Sequence, residues 1–168
     1  MLIRNATVSD ICSIAELYVS NHKSTYKGLV SEDYLNNLTI EKAKEKWSSY
    51  LEETKSRMWV AYDECAFLGF VASIPDATSD EIWYLDSLHI CEPARGKGTG
   101  SSLIKTVGQY ALARGYGKMS VCVVKGNDSA KKLYMKLGAR HLLSFEDKFD
   151  NSRINSEKLI WDDLKIFL

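Results

Sequence analysis

Apolar residues recur along this chain at two spacings, and the switches between them mark out its elements. Leu2–Ala6 reads as a short strand. Thr7, with Asp10 three residues on, has the form of a capping box. Ile11, Ile14, Ala15, Leu17 and Tyr18 then keep helical spacing, so a helix runs to about Ser20. Asn21–Val30 lacks a regular period and contains Gly28. Ser31 caps a short helix through Leu38, and Thr39 caps another through Leu51 with Ala43, Trp47 and Leu51 on one face. Met58–Tyr62 and Cys65–Ser73 are strand-like and join at Asp63-Glu64, a hairpin signal. After the polar loop Pro75–Asp80, Trp83–Ile90 reads as a central strand.

Leu103, Ile104, Val107 and Ala111 restore the helical period, and Arg114-Gly115 closes it. Met119–Val124 is a short apolar, β-branched run, the pattern of a strand buried on both faces. Lys125-Gly126 turns. Asn127 through Ser129 offer N-caps for a helix with Ala130, Leu133, Tyr134 and Leu137 inward, and Gly138 stops it. His141–Phe149 and Lys158–Trp161 read as closing strands around the polar loop Asp150–Ser156. This alternation over residues 82–138 is of the α/β type. No repeat, linker or low-complexity segment interrupts it, so residues 1–168 are expected to form one domain.

Composition narrows the classes. With 45% hydrophobic residues the chain can bury a sizeable core. Lys+Arg and Asp+Glu both number 22, so there is no basic footprint for nucleic acid. Cys12, Cys65, Cys91 and Cys122 are too scattered for a zinc motif, so no metal is expected. They read as small core residues in a reducing compartment. The start, Met1-Leu2-Ile3-Arg4-Asn5, has no apolar signal core, and no run is long enough to span a membrane. The expectation is a cytoplasmic protein without a membrane partner.

The chemistry concentrates in Pro93-Ala94-Arg95-Gly96-Lys97-Gly98-Thr99-Gly100-Ser101, between a strand and a helix. Alternate glycines remove the Cβ atoms that keep a ligand off the backbone. The amides of such a turn, with the free N–H groups of the next helix's first turn, form an anion site suited to phosphate. Arg95 and Lys97 add positive charge. The dinucleotide fingerprint fails, because its last glycine is Ser101 and the acid about 20 residues on is absent. The nucleotide P-loop fails too, because Cys91 stands where its first glycine belongs and Gly98 follows the lysine.

Arg95, Gly98 and Gly100 instead fit Arg-x-x-Gly-x-Gly, which resembles the acetyl-CoA pyrophosphate loop of the GNAT superfamily of N-acetyltransferases. A second stretch agrees. Asn127-Asp128-Ser129-Ala130-Lys131-Lys132-Leu133-Tyr134-Met135-Lys136-Leu137-Gly138 looks like that family's Asn-x-x-Ala-x-x-(apolar)-Tyr-x-x-x-Gly signature. The resemblance implies a mixed, mostly antiparallel sheet with helices on both faces and two central parallel strands that splay apart. It implies acetyl-CoA as cosubstrate, a primary amine of a small molecule or peptide as acceptor, and often a homodimer. A non-catalytic acyl-CoA sensor on the same fold is the competing reading.

The resemblance also assigns roles. The turn Arg95, Gly96, Lys97, Gly98, Thr99, Gly100 and Ser101 would hold the pyrophosphate. Backbone groups of Leu88, His89 and Ile90 would pair with the pantetheine arm, an amide near Leu88 would face the thioester oxygen, and Asn127 would bond the arm. Tyr134 matches the tyrosine that acts as acid on the leaving sulfur. Tyr84 stands where many relatives carry a glutamate base. Asp86, two residues on, faces the same side of the strand, as a base or as an attractor for a cationic acceptor, and His89 should face the other way. Asp80 and Glu81 would add to that attraction. Tyr26, Tyr34 and Trp47 fall in the region that covers the acceptor side in the family, although Trp47 reads better as core.

Overall fold

The computed structural model describes residues 1–149 and 152–168. Among them, strands β1 (Leu2–Asn5), β2 (Arg57–Asp63), β3 (Ala66–Pro75), β4 (Ile82–Ile90), β5 (Lys118–Val124), β6 (Arg140–Phe149) and β7 (Ser152–Trp161) form one sheet. Their order is β1-β2-β3-β4-β5-β7-β6. All neighbours are antiparallel except β4 and β5, which are parallel. The helices are α1 (Ile11–Thr25), α2 (Glu32–Asn37), α3 (Ile40–Glu52), α4 (Thr99–Ala113) and α5 (Asp128–Lys136).

Strand periodicity sorts the side chains into two cores. On one face Leu85, Val121 and Leu159 pack with Leu103, Ile104 and Val107 of α4 and with Tyr134 of α5. On the other, Val60, Phe70 and Ala72 pack with Ile14, Ala15 and Tyr18 of α1 and with Ala43 and Trp47 of α3. Each fully buried Leu or Ile in these layers contributes about 1.5–3 kcal/mol by leaving water. Trp47 is completely buried, as its helical face implied.

Two of the sequence boundaries move. α1 continues past Ser20 to Thr25. Asn21 and His22 extend the inward stripe of Ile14 and Tyr18 at i+3 and i+4, but they are polar, so the apolar period fades although the helix does not. β7 starts at Ser152, inside the stretch read as the loop Asp150–Ser156. Its first, polar residues are held by pairing with β6, and from Ser156 on with β5 as well, a tertiary effect that outweighs local composition. Asp150 and Asn151 lie outside the described residues.

The cysteines do not form core. Cys12 and Cys65 are exposed, and Cys91 and Cys122 are half-buried. Cys65 sits in the β2–β3 turn, beside Glu64 with its positive φ of 51°.

The parallel pair decides where the molecule opens. β4 and β5 are in register only from Ile82↔Lys118 to Leu85↔Val121. Beyond that, β4 stays with β3 as far as Gly69↔Ile90, while β5 stays with β7 as far as Val124↔Ser156. The two strands therefore part after Leu85.

At the entry to α1, a buried charge ties the first strand to the hairpin. Arg4 donates twice to the Asp10 carboxylate, at 2.8 Å each, and the Thr7 amide and Tyr62 hydroxyl donate to it at 2.8 and 2.9 Å. Burial pushes the Asp10 carboxyl up, but these donors outweigh it and bring it from 3.8 down to about 2. A lowered folded-state value stabilises the fold above the unfolded pKa, and the gain is lost as pH falls through the folded one. A shift of this size corresponds to about 2 kcal/mol. Asp76, held by Lys158 and Thr78, is also brought to about 2 and adds to the same window. Asp10→Asn is expected to cost about 2 kcal/mol at pH 7. In urea melts between pH 7 and pH 2 it should also remove about half of the acid-induced loss, leaving the share due to Asp76.

Candidate active site

The parting strands bound a cleft of about 690 Å³, lined by the end of β4, the start of α4, the end of β5, α5 and the inner face of α1. The glycine turn forms its floor. Gly96 and Gly98 have φ of +74° and +89°, a left-handed backbone that disfavours any side chain. A Cβ built on either would have no atom within 4 Å, so both face open space on the cleft side. Gly100 has another reason to be glycine: a Cβ there would stand 3.1 Å from Leu133 Cδ2, so it lets α4 approach α5 closely. Gly98 begins α4 with no side-chain cap, leaving the positive end of that helix to the cleft.

The turn is not uniformly engaged. Arg95, Gly96, Gly98, Gly100 and Ser101 line the cleft. Lys97 is exposed outside it, and Thr99 is buried under the helix start at 2% exposure. Leu88, His89 and Ile90 line the part of β4 that has left β5. The Ile90 carbonyl already accepts from Asn21 Nδ2 and from Arg95 Nε, at 3.2 Å each.

A β-bulge reverses one expectation. Ala72 of β3 pairs with Ser87 and the next residue, Ser73, pairs with Leu85, so Asp86 has no opposite number. The extra residue shifts the alternation of β4 by one. His89 therefore shares a face with Asp86 instead of opposing it. Its ring stacks on Phe70 (5.2 Å) and His22 (5.3 Å) and meets the edge of Tyr18 at 5.3 Å. Burial, reinforced by Lys46, holds the His22 imidazole down at about 4, its bond to the Tyr18 carbonyl notwithstanding. Burial, His22, Lys46 and Arg95 push His89 well below its ordinary value. Burial thus favours the uncharged form of both rings.

Asp86 lies on this same wall. Burial raises its carboxyl above the ordinary aspartate value, and Lys46 and the Ser87 hydroxyl, which donates at 3.4 Å, pull it back only in part. Lys46 reaches in from α3, donating to the Tyr18 hydroxyl at 3.2 Å above the Tyr18 and Trp47 rings. Burial, with the Asp86 charge, pushes the Tyr18 hydroxyl up to about 12. Tyr84 is also on the cleft wall, its hydroxyl pushed up by burial and by the neighbouring Cys122 of β5 and Asp86.

The opposite wall belongs to α5. Asn127 caps that helix, its Oδ1 accepting from Ser129 Oγ at 3.4 Å and from the Ala130 amide at 3.5 Å. Its side chain also pulls the Tyr26 hydroxyl back in part, against the burial that pushes it up to about 12. Two turns on, Tyr134 is 5% exposed and packs edge-on to Trp161 at 5.9 Å, yet it lines the cleft. Burial raises its hydroxyl further, so it stays protonated as a donor. The Trp161 indole donates to the Leu137 carbonyl at 2.9 Å and fixes the end of α5 against the sheet.

Asp80 and Glu81 do not join the site. They sit at the far end of β4, where Glu81 pairs with Lys118 at 3.6 Å. Asn21, His22, Lys46 and Cys122 line the cleft without having been singled out from the sequence. Asn21 and His22 continue the Ile14–Tyr18 stripe in position, but their polarity hides that continuation in the sequence. Among the described residues no group of His, Cys, Asp and Glu is arranged to hold a metal, and no helix is long and apolar enough to cross a membrane.

Comparison with known proteins agrees with this fold. An uncharacterized N-acetyltransferase of Bacillus subtilis (strain 168), YuaI, is 28% identical over 167 residues, covering 96% of this chain and 93% of that protein. The ribosomal-protein-alanine N-acetyltransferase of Brucella melitensis superposes with a TM-score of 0.78 at 18% identity, over 96% of this chain and 99% of the other. The PaiA N-acetyltransferase of Thermoplasma acidophilum, solved with coenzyme A, superposes with a TM-score of 0.76 at 22% identity, over 93% and 96%. The model of the acetyltransferase (GNAT) family matches residues 22–139, and the chain belongs to that family.

Proposed function

We propose that this protein transfers the acetyl group of acetyl-CoA directly to a primary amine of a small molecule or peptide, both bound at once. The observation that carries the reading is the cleft between β4 and β5, with the glycine turn at its floor, Asp86 on one wall and Tyr134 on the other. The cleft residues suit the cosubstrate: Gly96 and Gly98 leave space where a side chain would block a phosphate, and the helix start supplies unpaired amides. Leu88 and His89 offer a strand edge to the pantetheine arm. Bound acetyl-CoA supplies the activated acyl group.

The protein's own residues manage protons and position. An ammonium has no lone pair, so the acceptor must lose a proton before it can attack. Asp86 receives that proton, and burial makes it a better base than a free aspartate. Tyr134 holds a proton at its hydroxyl, where it stabilises the departing sulfur. The aromatic wall of Tyr18, His22 and Tyr26 excludes water and orients the amine.

An acetylation screen across amine classes tests the function as a whole. A protein that binds acetyl-CoA and acetylates no amine would be a sensor. For the cofactor loop, Gly98→Asp puts a side chain and a negative charge at a left-handed position, and calorimetry should register lost CoA affinity. Binding at wild-type strength would remove the loop from the site.

For the base, kcat/KM should fall on an acid limb centred above the ordinary aspartate value, because the Asp86 carboxyl is raised. Asp86→Asn should abolish that limb and lower turnover while CoA affinity holds. An unchanged pH–rate profile would exclude the role. For the acid, Tyr134→Phe keeps the ring against Trp161 and deletes the hydroxyl. Turnover should drop on the order of 10²-fold with little change in either binding constant. Full turnover would mean that Tyr134 serves packing alone.

A further inference from the structure

The C-terminal half of α1 reaches the glycine turn through one side chain. Asn21 is buried, yet it makes no hydrogen bond along its own helix with its amide group. Its Nδ2 donates to the Ile90 carbonyl at 3.2 Å, and its Oδ1 accepts from an Arg95 guanidinium nitrogen at 2.8 Å. Arg95 Nε closes the ring by donating to the same Ile90 carbonyl at 3.2 Å. Only one orientation of the amide serves both partners, with its oxygen toward Arg95 and its nitrogen toward Ile90.

This ring ties α1 to two neighbouring points far along the chain, the last residue of β4 and the first residue of the glycine turn. Arg95 is otherwise exposed, with a long side chain that would lose rotamer freedom to hold any one pose. The Asn21 carboxamide accepts a charge-assisted bond from it and removes that freedom in advance.

We propose that Asn21 is a positioning residue for the cosubstrate: it holds Arg95 at the mouth of the turn so that the guanidinium charge faces the CoA pyrophosphate. The inference rests on the acetyl-CoA reading above and adds a residue that acts through Arg95. Asn21 itself needs no contact with the ligand. A planar guanidinium is required, because its Nε and terminal nitrogen must meet two acceptors at once, which a lysine ammonium at the end of a flexible stem does not reproduce.

The test is a double-mutant cycle on CoA affinity by calorimetry, with Asn21→Ala, Arg95→Ala and both together. Asn21→Ala should weaken CoA about tenfold, the scale of one charge-assisted bond. In the Arg95→Ala background it should weaken it no further. Arg95→Lys should lose as much as Asn21→Ala, and this variant carries the test if Asn21→Ala does not fold. A second readout uses S-acetylpantetheine, which lacks the pyrophosphate. The preference of Asn21→Ala for acetyl-CoA over S-acetylpantetheine, in kcat/KM, should be about tenfold below that of the wild type.

Additive losses in the cycle, an Asn21→Ala or Arg95→Lys protein that binds CoA at full strength, or equal losses with both donors would overturn the role of Asn21. A wild-type protein that binds no CoA would overturn the cofactor reading itself, and this inference with it.

Discussion

The separation of β4 from β5 after Leu85 is the constraint on which the rest depends. A parallel pair that stays in register is sealed by its own hydrogen bonds and offers a ligand nothing. Here each strand keeps its outer antiparallel partner and gives up the inner one. The backbone groups so released must be satisfied by something, and a substrate arm of peptide-like polarity can do it. The same separation sets the start of α4 at the bottom of the gap, because the chain leaves β4 there and turns through the glycines.

The bulge at Asp86 works within that frame. Without it, Asp86 and His89 would lie on opposite faces, and the carboxylate would have a different wall around it. With it, one face of β4 presents Tyr84, Asp86 and His89 to the cleft, while Leu85, Leu88 and Ile90 remain with the core under α4. Imidazole and tyrosine rings around one carboxylate lower the polarity of its surroundings, and the Lys46 charge on the same wall offsets that effect only in part. That is the environment in which a carboxylate gains basicity.

What was legible in the sequence was what is set locally. The strand–turn–helix order, the left-handed glycines and the cap at Asn127 depend on backbone preferences of a few neighbouring residues, and they appear where the spacing put them. The position of Tyr134 followed from the helical period after that cap. The direction of His89 did not, because the bulge arises from how β4 registers against β3, and nothing in Leu85-Asp86-Ser87 announces it. The end of α1 was hidden for a similar reason. Asn21 and His22 find their partners at Arg95, Ile90 and His89, far along the chain, and a window of neighbours sees only two polar residues.

α1 has two obligations. It carries Tyr18 and His22, which stand on the cleft wall, and Asn21 ties it to the glycine turn at Arg95. These are not separate halves that happen to face each other. One helix carries both contacts within a turn of each other, so the glycine turn at Arg95 and the aromatic wall of the cleft are anchored to a single element.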